Sequence, residues 1–135
     1  MKPTFSIPLS DRPLFASAIL SKNSSSKQKL PPQLIVGGAD HGLAQISLGT
    51  NTVAAKLYSK NYGHQEWVTC VEPLTSSGGK HKVCSGGMDA KVCIWTLVTP
   101  PKTSQQFHSD TRPKLPEATC VDLIGHEASV SCLRG

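Results

Sequence analysis

Short apolar runs alternate with polar turns along most of this chain. Inside the runs, apolar residues recur at every second position, as in VTCV at 68–71, and this period is typical of half-buried strands. Gly, Pro, Asn and Asp fill the gaps, where they favour turns. The pattern predicts an all-β fold, although the run LFASAIL at 14–20 is also compatible with a helical turn. The predicted strands are 14–20, 34–37, 42–48, 53–59, 67–72, 82–86, 91–97, 118–124 and 129–134.

Two internal repeats run through these predicted strands. Residues 34–48 align without a gap on residues 83–97, and residues 63–71 align on residues 125–133 with an offset of 125 − 63 = 62. Repetition of this kind indicates supersecondary units that stack on one another. Each unit is predicted to contain a strand, a tight Gly/Asp turn and a returning strand. In the first repeat, Gly37-Gly38 falls on Gly86-Gly87 and Asp40 on Asp89, an offset of 86 − 37 = 49.

The stretch 63–95 resembles the core of a WD40 repeat, the unit of a β-propeller blade. It contains a Gly63-His64 pair, the turn aspartate Asp89, and Trp95, which is followed by Thr96 where the family's closing aspartate usually stands. The resemblance implies four-stranded antiparallel blades. It divides the chain into an irregular lead-in with the first strand (1–33), the rest of a degenerate first blade (34–62), a second blade (63–124) with a long loop at 98–117, and the first strand of a third blade (125–135).

The number of blades bears on how the fold is completed. Propellers of this type close with roughly four to eight blades, and this chain accounts for about two blades and one strand. We therefore expect it to be an N-terminal fragment of a longer propeller. Completion of the ring by other chains is the alternative.

The resemblance also implies a buried chain of hydrogen bonds in the second blade. By motif position its members are His64, Ser85, Asp89 and Trp95. An imidazole offers two ring nitrogens, and a buried indole N–H needs an acceptor, so these groups suit one another. Serine, histidine and aspartate also form hydrolase triads, but Ser85 lies within a predicted strand and not on an exposed nucleophile elbow. We therefore expect a structural role for the four residues.

The first blade lacks most of the residues that this hydrogen-bond network needs. Val36 stands at the serine position and Ile46 at the tryptophan position, so that only Asp40 remains. We expect apolar packing to hold that blade together.

Composition and charge narrow the function classes. The 135 residues carry a net charge of +5 from dispersed lysines, which leaves nucleic-acid or ubiquitin-type binding open as an alternative function. The lysines in question are Lys22, Lys27, Lys29, Lys80 and Lys82. The glycine pairs precede strands and not helices, so neither a phosphate cradle nor a cofactor is predicted.

The cysteines and the hydropathy bear on the compartment. None of the five cysteines forms a C-x-x-C pair, so their spacing predicts no metal site and favours free thiols in a reducing environment. The chain shows neither a secretory leader nor an apolar run of about 18 residues. We therefore expect a cytoplasmic or nuclear protein without a membrane partner.

The function implied by the resemblance is a non-catalytic scaffold that binds other proteins or peptides. No nucleophile, base and oxyanion donors converge in the sequence, so no catalytic residue is predicted. In such propellers, partner contacts often come from the loop that enters the first strand and from the residue before the turn aspartate. Gln65, Trp67 and Met88 occupy these positions, and tryptophan and methionine suit interfaces. For Trp67, packing against the neighbouring blade is the alternative.

Overall fold

The computed structural model describes residues 5–21, 31–58, 61–74, 81–98 and 119–134. Over these residues the fold is all β, with two four-stranded antiparallel sheets and no helix. No helix in the described part of the chain therefore has the length and hydrophobicity needed to cross a membrane. The predicted loop 98–117, apart from Val98, lies outside the described residues, as do Lys22, Lys27, Lys29 and Lys80.

Each sheet is a meander, in which consecutive strands are neighbours. The strands predicted between residues 14 and 124 are all present, with ends shifted by at most two residues, and 14–20 is a strand. The first sheet comprises β1 (Leu14–Leu20), β2 (Gln33–Gly38), β3 (Leu43–Ser47) and β4 (Thr52–Leu57). The second sheet comprises β5 (Val68–Leu74), β6 (Lys82–Gly87), β7 (Lys91–Thr96) and β8 (Thr119–Ile124).

The two sheets share their strand register as well as their strand order. Gly37 pairs with Leu43 in the first sheet, and Gly86 pairs with Val92 in the second. Both members of the pair are displaced by the same number of residues, 86 − 37 = 49 and 92 − 43 = 49. The structure of the β2–β3 and β6–β7 hairpins therefore repeats with the spacing of the ungapped sequence match.

Local irregularities recur at matching places. The first strand of each sheet has a β-bulge opposite its glycine pair, between Leu14 and Ala16 in β1 and between Val68 and Cys70 in β5. A bulge is a specific departure from regular pairing, so its recurrence marks the sheets as two copies of one unit. The hairpin turns also carry non-glycine residues with positive φ at matching positions, His41 (66°) and Ala90 (59°).

The hydrophobic core lies between the two sheets, where β5 packs against β1 and β2. Its largest fully buried side chain is Trp95. The core draws on alternate residues of both sheets, because successive side chains of a strand point to opposite faces. Its members are Leu20, Ile35, Leu43, Leu57, Val68, Val71, Val83, Cys93 and Trp95.

The predicted strand at 129–134 is the part of the fold that the structure does not bear out. This segment has no strand assignment, because none of the described strands forms a ladder with it. Instead, the Val130 N–H donates to the Gly87 carbonyl at 2.9 Å, and the Thr69 hydroxyl donates to the Val130 carbonyl. The segment thus lies against the second sheet without completing a sheet of its own.

Val130 nevertheless meets the second sheet as Val68 meets the first. A Cβ built on Gly86 would lie 2.6 Å from Val130 Cγ1, and one built on Gly37 would lie 2.8 Å from Val68 Cγ1. In both places only a residue without a Cβ lets the next segment approach this closely. The two valines are 130 − 68 = 62 residues apart, which is the offset of the second sequence repeat.

Candidate functional site

Four polar and aromatic side chains meet where the link between the sheets crosses the β6–β7 turn. His64 lies in the link before β5, Ser85 on β6, Asp89 in the turn and Trp95 on β7. The His64 ring places Nδ1 3.0 Å from Asp89 Oδ1 and Nε2 2.7 Å from Ser85 Oγ. Trp95 Nε1 donates to Ser85 Oγ at 2.9 Å. The structure therefore brings the four residues singled out from the sequence into one chain of hydrogen bonds.

The chemistry of the groups fixes the direction of these hydrogen bonds. A carboxylate only accepts, so His64 Nδ1–H donates to Asp89. In a neutral imidazole Nε2 then accepts, and the Ser85 hydroxyl donates to it. Ser85 Oγ also accepts from the indole N–H of Trp95. Each N–H and O–H donor of this four-residue network thus has an acceptor.

These four side chains need complete hydrogen-bond pairing because most of the network is buried. Ser85 is 0% exposed, Trp95 1% and His64 5%, and an unpaired polar group in such a place is costly. Gly87 makes the close approach possible, because a Cβ built there would lie 2.6 Å from His64 Nδ1 and 2.7 Å from Asp89 Oδ1. The glycine next to the turn is therefore part of the network.

Asp89 also accepts hydrogen bonds from two backbone N–H groups, one in the link between the sheets and one at the start of β7. Its Oδ2 accepts from the Gln65 N–H at 2.9 Å, and its Oδ1 accepts from the Lys91 N–H at 3.3 Å. Burial alone would raise the pKa of Asp89, but the hydrogen bonds from His64 and Gln65 outweigh it and hold the pKa below its ordinary value. Asp89 thus ties the link between the sheets to the β6–β7 turn as a charged carboxylate.

The order Ser85–His64–Asp89 is that of a hydrolase triad, but the surroundings of the serine argue against nucleophilic chemistry. Ser85 lies inside β6 with no exposed surface. Its hydroxyl already donates to His64 and accepts from Trp95. A nucleophilic serine must reach a substrate carbonyl beside oxyanion donors, and a residue this enclosed has no room for one. The arrangement suits a structural contact that holds the link between the sheets against the β6–β7 turn.

The first sheet has a different interior at the equivalent positions. Val36 and Ile46 are buried, whereas Asp40 is exposed. In the described part of the chain the Asp40 side chain makes no hydrogen bond. A buried amide that was not predicted adds to the apolar packing: Gln45 is 1% exposed and its Nε2 donates to the Val98 carbonyl at 2.7 Å.

The three candidate partner-binding residues lie around the Asp89 turn. Trp67 is 43% exposed and Met88 50%, and the Met88 N–H donates to the Trp67 carbonyl at 3.0 Å. Gln65 is also exposed. The packing alternative considered for Trp67 is observed, because its ring stacks on Phe15 of β1 at a centroid distance of 5.2 Å.

A polar cleft opens beside this surface and was not anticipated from the sequence. It has a volume of about 460 Å³. Its residues come from the β2–β3 turn and from the link between the sheets, so only the packing of the sheets brings them together. The lining includes Asp40, His41, Tyr58, Tyr62, His64 and Gln65.

A second cluster unites two thiols and a carboxylate on β7 and β8. Cys93 Sγ lies 3.5 Å and Cys120 Sγ 3.3 Å from Asp122 Oδ1. Asp122 also accepts from the Gly63 N–H at 3.0 Å and lies 3.7 Å from Lys91 Nζ. Sequence spacing missed this cluster, because Cys93 and Cys120 are far apart along the chain and meet only through strand pairing. The available signal was Cys120-x-Asp122, whose alternate positions share one face of a strand.

The electrostatics of this cluster favour a charged Asp122 carboxylate and a neutral Cys93 thiol. Burial would raise the pKa of Asp122, but hydrogen bonds from Cys120 and from the Gly63 N–H hold it below its ordinary value. Hydrogen bonding with Cys120, together with burial, holds the pKa of the Cys93 thiol far above its usual range. Without a cation, the cluster is therefore a carboxylate that accepts two S–H donors.

No protein-family model matches this chain, and no curated protein is similar enough to match it either.

Proposed function

We propose that this chain is part of a WD40-type β-propeller and serves as a non-catalytic scaffold for protein–protein interaction. The observation that carries the proposal is the hydrogen-bond chain from Trp95 through Ser85 and His64 to Asp89. It links the Gly-His position, the turn aspartate and the tryptophan in the way that the family resemblance implies. The chain then comprises two blades and the beginning of a third.

The recurrence of geometry from sheet to sheet supports this proposal. The sheets share a meander order, a register and a bulge, and β5, the first strand of the second sheet, packs on β1 and β2 of the first. The contact between one sheet and the next segment recurs at Val130, which approaches Gly86 of the second sheet as Val68 approaches Gly37 of the first. Radial repetition of four-stranded sheets is how propellers are built.

The partner-binding surface proposed for this scaffold is the turn surface of the second blade, Gln65, Trp67 and Met88. The buried network holds the turn in place, because Asp89 binds both the His64 side chain and the Gln65 N–H. Trp67 and Met88 then present apolar surface on a rigid base. Preorganised aromatic and methionine side chains of this kind contribute much of the energy of protein interfaces. The proposed occupant is an extended peptide or a loop of another protein.

A display selection on the full 135-residue chain tests this function. Random peptides are selected for binding, and their affinities are measured by titration calorimetry for the parent chain and for variants. We expect Trp67→Ala and Met88→Ala each to weaken binding at least tenfold. Ile19→Ala is the matched control, because Ile19 is 62% exposed but pairs with Leu34 towards the opposite end of β1.

Controls separate loss of binding from loss of the fold. Trp67 stacks on Phe15, so its removal also costs packing, whereas Met88→Ala leaves that stack intact. Circular dichroism melting is recorded for each variant. Peptides that bind Trp67→Ala and Met88→Ala as tightly as the parent chain would refute the proposed surface. A steep loss of affinity with added salt would instead favour the lysine-based binding of nucleic acid or ubiquitin.

A further inference from the structure

The pairing of β7 with β8 concentrates three metal-ligating side chains on one face of the second sheet. Cys93 is the register partner of Asp122, and Cys120 pairs with Trp95, two positions along from Cys93. Cys120 and Asp122 are separated by one residue, so their side chains share a face of β8. The two Sγ atoms and a carboxylate oxygen lie within 4.8 Å of one another.

The two sulfur-to-oxygen distances match edges of a tetrahedral site. With a Zn–S bond of about 2.3 Å and a Zn–O bond of about 2.0 Å, a sulfur and an oxygen on one tetrahedral ion are separated by about 3.5 Å. The Sγ-to-Oδ1 distances here are 3.5 Å for Cys93 and 3.3 Å for Cys120. A cation that replaces the two thiol protons could therefore keep both sulfur-to-oxygen distances.

Neighbouring groups hold the carboxylate in place for such an ion. The Gly63 N–H donates to both oxygens, at 3.0 Å to Oδ1 and 3.3 Å to Oδ2, while Lys91 Nζ lies against Oδ2. Oδ1 is thereby turned towards the sulfurs, and such outer contacts are what orient a metal ligand. Two thiolates, one carboxylate, a divalent cation and the lysine ammonium together sum to zero charge.

The position of the cluster allows an ion to enter. Cys93 is fully buried, but Cys120 and Asp122 are half-buried and belong to β8, the last strand of the sheet. Three protein ligands leave one tetrahedral position for a water molecule or an outside ligand. Two thiolates among the donors select soft cations over Mg²⁺ or Ca²⁺.

We propose that Cys93, Cys120 and Asp122 form a site for a thiophilic divalent cation, with Zn²⁺ as the best-matched ion. Binding exchanges two S–H protons, which leave to solvent, for two metal–thiolate bonds. The site does not depend on the scaffold function, since none of its ligands belongs to the turn surface of the second blade. Its consequence is a cross-link between β7 and β8 that the backbone ladder alone does not provide.

Titration of the full chain with Cd²⁺ and Zn²⁺ under reducing conditions tests the site. Cd²⁺ reports directly on thiolate ligation through ultraviolet charge-transfer absorption, and Zn²⁺ is measured by competition with a chromophoric chelator. We expect one ion per chain and about two protons released per Zn²⁺, measured by calorimetry in buffers of different ionisation enthalpy. Mg²⁺ should not compete.

Variants assign the ligands. Cys120→Ser and Cys93→Ser should each lower Zn²⁺ affinity by on the order of 100-fold and remove charge-transfer intensity, and Asp122→Asn should lower it by roughly 10–100-fold. Cys84→Ser is the matched control, because Cys84 is another buried thiol but donates to the Glu72 carbonyl. It should leave Zn²⁺ affinity unchanged.

Two results would overturn the site. The first is Zn²⁺ binding by the parent chain that is no tighter than binding by the Cys120→Ser and Cys93→Ser variants. The second does not depend on whether the variants fold: a parent chain whose melting temperature does not rise with Zn²⁺ binds the ion no better when folded than when unfolded, because a ligand that prefers the native state stabilises it by linkage.

Discussion

The substitution Asp89→Ala measures how much the buried network contributes to stability. It leaves His64 Nδ1 without its acceptor, in a side chain that is 0% exposed, and it releases the Gln65 and Lys91 N–H groups. The backbone groups can turn to water because Gln65 is exposed, so most of the cost comes from the histidine. An unsatisfied buried donor costs about 1–3 kcal/mol.

We therefore expect Asp89→Ala to lower the free energy of unfolding by about 2 kcal/mol. For a chain of this length, that loss corresponds to a fall in melting temperature of roughly 6–10 °C. Urea titration followed by far-ultraviolet circular dichroism measures the first quantity, and differential scanning calorimetry measures the second. The measurement should be made at neutral pH, where the carboxylate is charged.

The repeat supplies a matched control for this experiment. Asp40 occupies the equivalent turn position in the first sheet, 89 − 40 = 49 residues earlier, but it is exposed and has no hydrogen-bonded histidine. Asp40→Ala should change the free energy of unfolding by less than about 0.5 kcal/mol. Equal effects of the two substitutions, or an unchanged melting temperature for Asp89→Ala, would refute the reasoning.

Two further predictions concern the same network. Gly87→Ala should cost about 1–3 kcal/mol in urea titrations, because its Cβ would displace His64. Gly42→Ala should be nearly neutral, because a Cβ there would meet only the Leu57 carbonyl oxygen, at an ordinary contact distance of 4.0 Å; similar losses for both would contradict the close-approach argument. Because the folded-state pKa of Asp89 lies below its ordinary value of about 3.9, its stabilising contribution is complete above about pH 4 and disappears as the pH falls through the folded-state pKa. The free energy of unfolding should therefore fall more steeply below about pH 4 in the parent chain than in Asp89→Ala, and parallel pH curves would count against this account.

Strand positions could be predicted because the relevant information is local. Alternation with a period of two marks each strand, and the Gly/Asp turns mark the ends of the hairpins. The shared register agrees with the ungapped 49-residue match, because a slip of one residue would have turned every side chain to the other face. The segment 129–134 was wrongly predicted as a strand for the same local reason. Its pattern is that of a strand, but strand structure needs a neighbouring ladder.

The candidate sites divide in a similar way. His64, Ser85, Asp89 and Trp95 were found because their spacing belongs to a recognisable motif. Cys93, Cys120 and Asp122 were missed because their proximity depends on which strand β7 pairs with, and no short spacing encodes that. The buried amide of Gln45 was missed because its acceptor, the Val98 carbonyl, lies far along the chain, just after β7 of the second sheet.

The meander order of both sheets has a consequence for how the chain folds. Each ladder joins strands that follow one another along the chain, so every sheet can begin to form as a separate unit. The exception is β8, which pairs with β7 only after the long connection from Thr96 to Thr119 has closed. His64 is different, because its contact with Asp89 requires both the β6–β7 hairpin and the link between the sheets to be in place. Contacts made after the transition state slow unfolding more than they speed folding. We therefore expect the network chiefly to lower the unfolding rate, which lengthens the lifetime of the folded pair of sheets.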